Sequence, residues 1–448
     1  MARARKVVGD CVGLVDRALI DAGLAGGSVV AGLSGGVDSV ALLHALVQAA
    51  PGLGVTVSAL HVHHGLSAHA DEWARSCARL CDSLGVTFTE VRVHVDRASP
   101  LGIEAAAREA RYAVFRQQRA EAVALAHHAD DQVETLLQQL LRGAGVRGLS
   151  AMPETRVLDA ATGLLLLRPW LKLTRGEIRR YAEGAGLSWV EDESNLDPVF
   201  DRNFLRTQIL PELVARFPGI RETVGRAARN FADAAELLDD LAAKDAALVV
   251  AGDALSISAL ATLSPAAAHN VLRWFLERQG LPPPSRDQLE EALRQALEAR
   301  GDAQLRVKLG GAWLRRHRGR IYLQYIHPEP ARGWNITWSG QEALVLPSGL
   351  GCLRFEPARG TGLSLSRLRE QRVTVRARSG GERLRLAANR PSRTLKNLFQ
   401  EAAIPEWERV HMPLVFAGEA LVWVPAVGQD YRFAPAAGEA GVMPRWER

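Results

Sequence analysis

Residues 31–46 read AGLSGGVDSVALLHAL, and the core SGGVDS sets two serines, two glycines and an aspartate between an apolar run and a helix-like run. Gly35 and Gly36 permit backbone conformations closed to other residues, so that successive amide N–H groups can face one anion. If SVVAGL is a strand and VDSVALLHAL a helix, the amides through Val37 lie at a helix N-terminus, where phosphate binds, and the Ser34 and Ser39 hydroxyls add donors. No GK[ST] ending follows, which excludes a Walker A loop. Asp38 is the anomaly, because a carboxylate beside phosphates is repelled unless a divalent cation separates them. Magnesium, held by Asp38, meets that need. Taken alone, the stretch is equally compatible with a tight Gly-Gly turn and an acid favoured by the helix dipole.

A second cluster, AHHADDQVET, occupies residues 126–135. An apolar strand ending at Ala126 would put His127, His128, Asp130 and Asp131 at its carboxyl edge, where open α/β sheets bind ligands. In a helix starting near Asp130, Asp131 and Glu134 share a face suited to an ammonium group, although a helix cap with a solvated face is the plain alternative. Adjacent strand residues point to opposite sides, so His127 and His128 cannot both reach one ion, and a zinc site is set aside.

These residues need a scaffold. From Ser28 to about Val190, the β-branched runs SVVAGL, VTVSALHV, VTFTEVRVHV, AVALAH and LLLLRPW alternate with proline-free amphipathic segments. This is the pattern of an α/β fold, a doubly wound parallel sheet with helices on both faces. An Ala-rich helical region follows, and after about Arg320 short alternating runs predict a small C-terminal α+β module. The expected division is 1–215 catalytic, 216–330 helical and 331–448 C-terminal. With 448 residues, 47% hydrophobic and 23% charged, the chain reads as folded and globular. No apolar run reaches membrane-spanning length, so no membrane partner is expected and the cytoplasm is the default location. Four cysteines make neither a disulfide scaffold nor a paired-CxxC site, and Cys77 and Cys81, one helical turn apart, fit a buried helix face.

SGGVDS resembles the PP-loop of ATP pyrophosphatases, which adenylate a substrate and release pyrophosphate. HVHHGL at 61–66, GIEAAAREARY at 102–112, AHHADDQVETLLQQLLRGAGVRGL at 126–149 and DESNLDPVFDRNFLR at 192–206 narrow the likeness. Together with SRTLKNLFQEAAIPEWER at 392–409 they resemble the tRNA(Ile)-lysidine synthetase family over nearly the whole chain. Where that family usually has HVNHGLR, this chain has His63 and Ser67, and no role is assigned to either. The resemblance implies a ligase forming a carbon–nitrogen bond, with ATP and Mg2+ as cofactors. ATP adenylates the wobble cytidine of a tRNA(Ile) with a CAU anticodon, and free L-lysine then displaces AMP at C2, changing codon recognition from AUG to AUA.

It also implies roles. His127 would sit beside ATP or the acceptor base, and Arg206 would neutralise charge on the α-phosphate, work suited to a guanidinium fork. Asp131 and Glu134 would bind and help deprotonate the lysine ammonium. Arg108 and Arg111 would approach ATP or tRNA phosphates, a solvated helix face being the alternative. Ten basic residues from Arg367 to Lys396, among them Arg383 and Arg393, would bind tRNA. A β-hairpin over RVTVRARSGGERLRL with one solvated arginine face is the competing reading, and Phe399 and Trp407 are either base-stacking or core aromatics. The nearest rival function is a PP-loop tRNA thiolase, which needs persulfide cysteines or an iron–sulfur cluster. An amidotransferase needs a glutaminase module, and a non-catalytic tRNA binder needs none of Asp38, Asp131 and Glu134. The oligomeric state stays open, a homodimer included.

Overall fold

A computed structural model of the chain describes residues 2–96, 98–99, 102–191, 201–298, 305–326 and 333–447. It forms two compact units, Met1–Leu238 and Asp239–Arg448.

The first unit begins with α1, Ala2–Asp21, to which the sequence reading gives no element; it buries Cys11, Val15 and Leu19 at a spacing of four. A βα alternation follows: β1 Ser28–Gly32, α2 Val37–Leu53, β2 Thr56–His63, α3 Ala70–Leu84, β3 Thr87–Arg92, α4 Ile103–Arg116, β4 Ala122–Ala124 and α5 Ala129–Leu141. After a turn of helix, α6 Val146–Leu149, come β5 Thr155–Asp159, β6 Leu164–Leu167 and α7 Arg175–Gly184. The sheet order is β3-β2-β1-β4-β6-β5, parallel except for β5, which runs antiparallel to β6 at the edge. All five strands expected from the sequence are present. The polar run TRVLD of β5 carries no strand signal, because an edge strand needs burial on little of its surface.

The apolar strands are covered on both faces. Leu42, Leu43 and Leu46 of α2 are fully buried with Val29 and Ala31 of β1, and each leucine contributes about 2 kcal/mol by leaving water. Trp170 and Tyr181 complete that core, Trp170 donating its indole N–H to the Cys11 carbonyl at 3.1 Å. The chain leaves β1 for β2 on one side and returns to β4 on the other. The C-terminal ends of β1 and β4 thus flank the point where strand order reverses, the place where such sheets bind ligands.

The chain continues with α8 Asp201–Phe204, a π-helical turn Leu205–Ile209, α9 Leu210–Arg216 and the long α10 Ile220–Val249, which contains the boundary between the units. In the second unit the middle segment is more than helical. Helices Pro265–Arg278 and Arg286–Glu298 pack with a five-stranded antiparallel sheet whose strands include Arg306–Leu309, Ala312–His317 and Arg320–Tyr325. The C-terminal segment adds a five-stranded and a four-stranded antiparallel sheet with short helices, the α+β module expected.

Candidate active site

Beyond Gly32 the chain is steered by backbone bonds. The Leu33 carbonyl accepts the Nδ1–H of buried His61 at 2.8 Å, and the Gly35 carbonyl accepts the Val190 N–H at 2.9 Å. Gly35 has φ +89°, which favours glycine, and a Cβ there would stand a tight 3.3 Å from the Cys77 Sγ. Gly36 is the N-cap of α2 in extended conformation and supplies no side-chain acceptor, which leaves the first-turn N–H groups to an anion.

The two serines do different work from that expected. Ser39 Oγ donates to the Gly36 carbonyl at 2.9 Å and accepts the Ser34 N–H at 3.1 Å. Ser34 Oγ lies 3.0 Å from Ser39 Oγ, so the Ser34 hydrogen goes to Ser39 and both hydroxyl hydrogens are used inside the loop. Buried Ser39 shapes the phosphate loop, and Ser34, exposed, stands at its rim.

Asp38 lies in the first turn of α2, its side chain 28% exposed. Burial pushes its carboxyl up from the ordinary range, and the nearby His128 and Arg175 oppose the rise. Its Oδ1 is buried without a hydrogen-bond partner, and its Oδ2 is 3.8 Å from His128 Nε2. An orphaned carboxylate oxygen at a phosphate loop is a hard donor, which suits magnesium. Among the described residues no three acidic, histidine or cysteine side chains gather as a cage, so Asp38 would share such an ion with substrate phosphates.

Opposite the loop, β4 ends at Ala124 and α5 starts at Ala129, so the histidines lie beyond the strand and strand alternation does not govern them. His128 is the N-cap of α5. Its Nδ1 accepts the Asp131 N–H at 3.4 Å while Asp131 Oδ2 accepts the His128 N–H at 3.0 Å, a reciprocal capping box. With Nδ1 an acceptor, the Nε2 hydrogen points toward Asp131 Oδ2 at 3.5 Å and Asp38 Oδ2 at 3.8 Å. His128, passed over by the sequence reading in favour of its neighbour, therefore links the two catalytic candidates. His127 lines the cavity; burial pushes its imidazole down to about 3, and its Nδ1 is buried without a partner.

Asp131 and Glu134 do share a face, and two guanidinium groups cover it. Arg202 donates to Asp131 Oδ1 and to Glu134 Oε2, both at 2.8 Å. Arg206 donates to Asp131 Oδ1 at 3.0 Å and to Glu134 Oε1 at 2.7 Å. Glu134 is fully buried, and burial would raise Asp131, but His128 and Arg202 hold its carboxyl well below the usual range. Arg202 and Arg206 are four apart in sequence and meet the same carboxylates, with the π-helical turn placing Arg206. Residues 192–200 of DESNLDPVFDRNFLR lie outside the described residues.

A cavity of about 1120 Å³ joins Ser34, Asp38, Ser39, His127, Asp131, Arg111 and Arg206, large for one small molecule. Gly35, Gly36 and Val37 join the lining residues Ser34 and Asp38 without lining the cavity themselves, whereas Glu134 lines a second, 300 Å³ cavity together with Asp130, Arg175, Arg206 and Arg221. Arg111 has no carboxylate within ion-pair distance among the described residues, and burial pushes its guanidinium down. Arg108 is exposed one turn away.

The second unit revises the basic tail. Val373–Arg376 is paired on both sides, by Asn335–Trp338 and Leu414–Ala417, and Arg383–Leu384 pairs with Arg393–Thr394, so RVTVRARSGGERLRL is no hairpin. Arg383 donates to the Ser392 carbonyl at 2.6 Å, Arg393 pairs with Glu401, and Lys396 is exposed. Phe399 is fully buried core, and half-buried Trp407 packs edge-on against His317 and Tyr322.

Comparison with known proteins finds three family matches along the chain. A family profile described as PP-loop domain matches residues 17–213, a TilS substrate binding domain matches 255–322 and a TilS substrate C-terminal domain matches 373–446. A tRNA(Ile)-lysidine synthase of Nitrosomonas europaea is 44% identical over 421 residues, covering 94% of this chain and 92% of that protein. One of Azoarcus sp. is 41% identical, with 92% and 90% covered. Among solved structures, the U34-tRNA thiolase NcsA from Methanococcus maripaludis with its [4Fe-4S] cluster has a TM-score of 0.44 and 17% identity, covering 50% of this chain and 80% of that one.

Proposed function

The chain belongs to the tRNA(Ile)-lysidine synthase family, and on that premise we propose how its site works. It is an ATP-using ligase of tRNA modification: the C2 oxygen of the wobble cytidine attacks the α-phosphorus, pyrophosphate leaves, and the ε-amine of L-lysine then displaces AMP at C2. The observation that carries the site assignment is the meeting, across one cavity, of an anion-ready loop bearing an orphaned carboxylate oxygen with the buried, arginine-paired carboxylate of Asp131.

The first-turn amides of α2 bind the departing pyrophosphate, a charge that grows in the transition state and is therefore best stabilised there. Magnesium, when bound, would be held by Asp38 and would offset the negative charge of the phosphates. His128, its Nδ1 capped by the Asp131 N–H and its Nε2 within ion-pair distance of both carboxylates, holds Asp38 and Asp131 in register. Neutral His127 offers its open Nδ1 to the nucleotide or the base.

Asp131 and Glu134 bind the lysine ammonium, which competes there with the Arg202 and Arg206 guanidiniums. Asp131 is a poor base while His128 and the two arginines hold its proton affinity low against burial, and displacement of a guanidinium makes it a better proton acceptor for the amine. A freed Arg206 can turn to the α-phosphate. Residues 1–215 do this chemistry, and 216–330 and 331–448 hold the tRNA.

The thiolase reading finds no reactive thiol in the pair nearest the loop: burial pushes Cys77 up to about 12 and Cys81 to about 11. The deciding test supplies ATP, lysine and CAU-anticodon tRNA(Ile) together and singly. AMP and lysine-labelled tRNA should appear only with all three, and transfer of sulfur or ammonia without lysine would overturn the assignment.

A further inference from the structure

The outer turns of α4 carry a cation cluster that the proposed chemistry does not use. Tyr112, 5% exposed, packs into the core with Phe115, Val123 and Leu158. Its ring holds the Arg108 guanidinium 4.9 Å and the Arg156 guanidinium 5.4 Å from the centroid, and Arg108 Nη2 also donates to Tyr112 Oη at 3.4 Å. Buried Arg168, anchored to the Pro153 carbonyl at 2.8 Å, is a third guanidinium beside the phenol. Burial alone would raise the phenol, and the arginines together turn its shift downward.

Arg108 and Arg156 are exposed and, like Arg111, have no carboxylate within ion-pair distance among the described residues. Elsewhere in this unit, Arg92, Arg202 and Arg206 each pair with acids. Like charges gathered without counter-charge repel, and the arrangement becomes favourable when an anion joins them. A ring that fixes two guanidiniums in advance lowers the ordering cost of that binding. The cluster also has a direction: Arg111, next to Tyr112 in the chain, lines the large cavity, while Arg108 and Arg156 stand outside it.

We propose that Arg108 and Arg156, held on the Tyr112 ring, clamp the phosphodiester backbone of an RNA strand whose base enters the large cavity. This rests on the reading of that cavity as the site of cytidine activation. The clamp explains how the chain would select cytidine within RNA over the free nucleoside, since only a strand supplies phosphates at this distance from the base.

The test measures tRNA affinity of the full chain over a salt series, without ATP or lysine. The double variant Arg108→Gln/Arg156→Gln should bind about tenfold more weakly near 0.1 M salt, with a slope of log affinity against log salt flatter by about 1.5 to 2. The matching double lysine variant should retain most of the slope, and ATP affinity should not change in either. An unchanged slope overturns the clamp. Lost ATP affinity with an unchanged tRNA slope assigns the arginines to nucleotide phosphates instead. Equal losses in the lysine and glutamine variants with a lowered melting temperature make the cluster a structural brace. Should the double variant not fold, exposed Arg156→Gln alone should flatten the slope by about 0.7 to 0.9, and an unchanged slope there rejects the proposal as well. Failure of lysine ligation by the unaltered protein would sink the function above while leaving this binding measurement intact.

Discussion

At the scale of residues, the site is governed by how buried charges are shared. Asp38→Asn keeps the shape and removes the charge of the orphaned oxygen, so pyrophosphate release should fall at least about 100-fold with folding unchanged. Normal release would remove magnesium from Asp38. Glu134→Ala leaves Arg202 and Arg206 short of a carboxylate in a buried place, which costs about 3 kcal/mol, visible as a lower urea midpoint. The histidines set the acid limit. Burial pushes His64 down to about 4 and His127 down to about 3, while an unfolded imidazole titrates near about 6.5. Between those values the unfolded chain binds more protons, so stability falls as pH drops below 6.5, by at most about 1.4 kcal/mol per pH unit for each histidine. Urea midpoints at pH 7 and pH 5 should therefore converge in His127→Gln. Of these residues, the shared face of Asp131 and Glu134 is legible in their spacing, whereas the roles given to Asp38, Asp131 and Glu134 rest on the resemblance, since locally a turn or a helix cap reads equally well. Arg202 was quoted without a role and His128 was passed over, because their partners lie 71 residues away for Arg202–Asp131 and across the sheet for His128–Asp38.

At the scale of elements, the strand–loop–helix unit of β1 and α2 was readable because the apolar run, the glycines and the helical run agree on one structure. The weaker signals mark the misses: α1 is amphipathic but short of caps, β5 is polar, and the middle sheet is built of strands two to six residues long. In the loop, Gly35→Ala must place a side chain at φ +89° against the Cys77 sulfur. That strain costs roughly 1–3 kcal/mol and should weaken ATP binding at least about fivefold by calorimetry, with the sheet intact by circular dichroism.

At the scale of the molecule, basic charge is abundant in the second unit, yet much of it is already committed. Arg383 and Arg393 serve the turn and helix around them, whereas exposed Lys396 has no ion pair among the described residues. Lys396→Ala should therefore flatten the salt slope of tRNA binding by about 0.7 to 0.9 with no change in melting temperature, and Arg393→Ala should lower the melting temperature more than it moves the slope. Composition alone could not separate the two, since a paired and an unpaired arginine contribute equally to a net charge of +5. The seat of the phosphate loop has a practical corollary. Cys77 is 1% exposed and lies directly under Gly35, so an alkylating reagent reaches it only when the loop lifts, while half-buried Cys352 in the other unit reacts independently. The ratio of their labelling rates is a built-in clock for loop opening, and saturating nucleotide should slow the Cys77 hand of that clock alone.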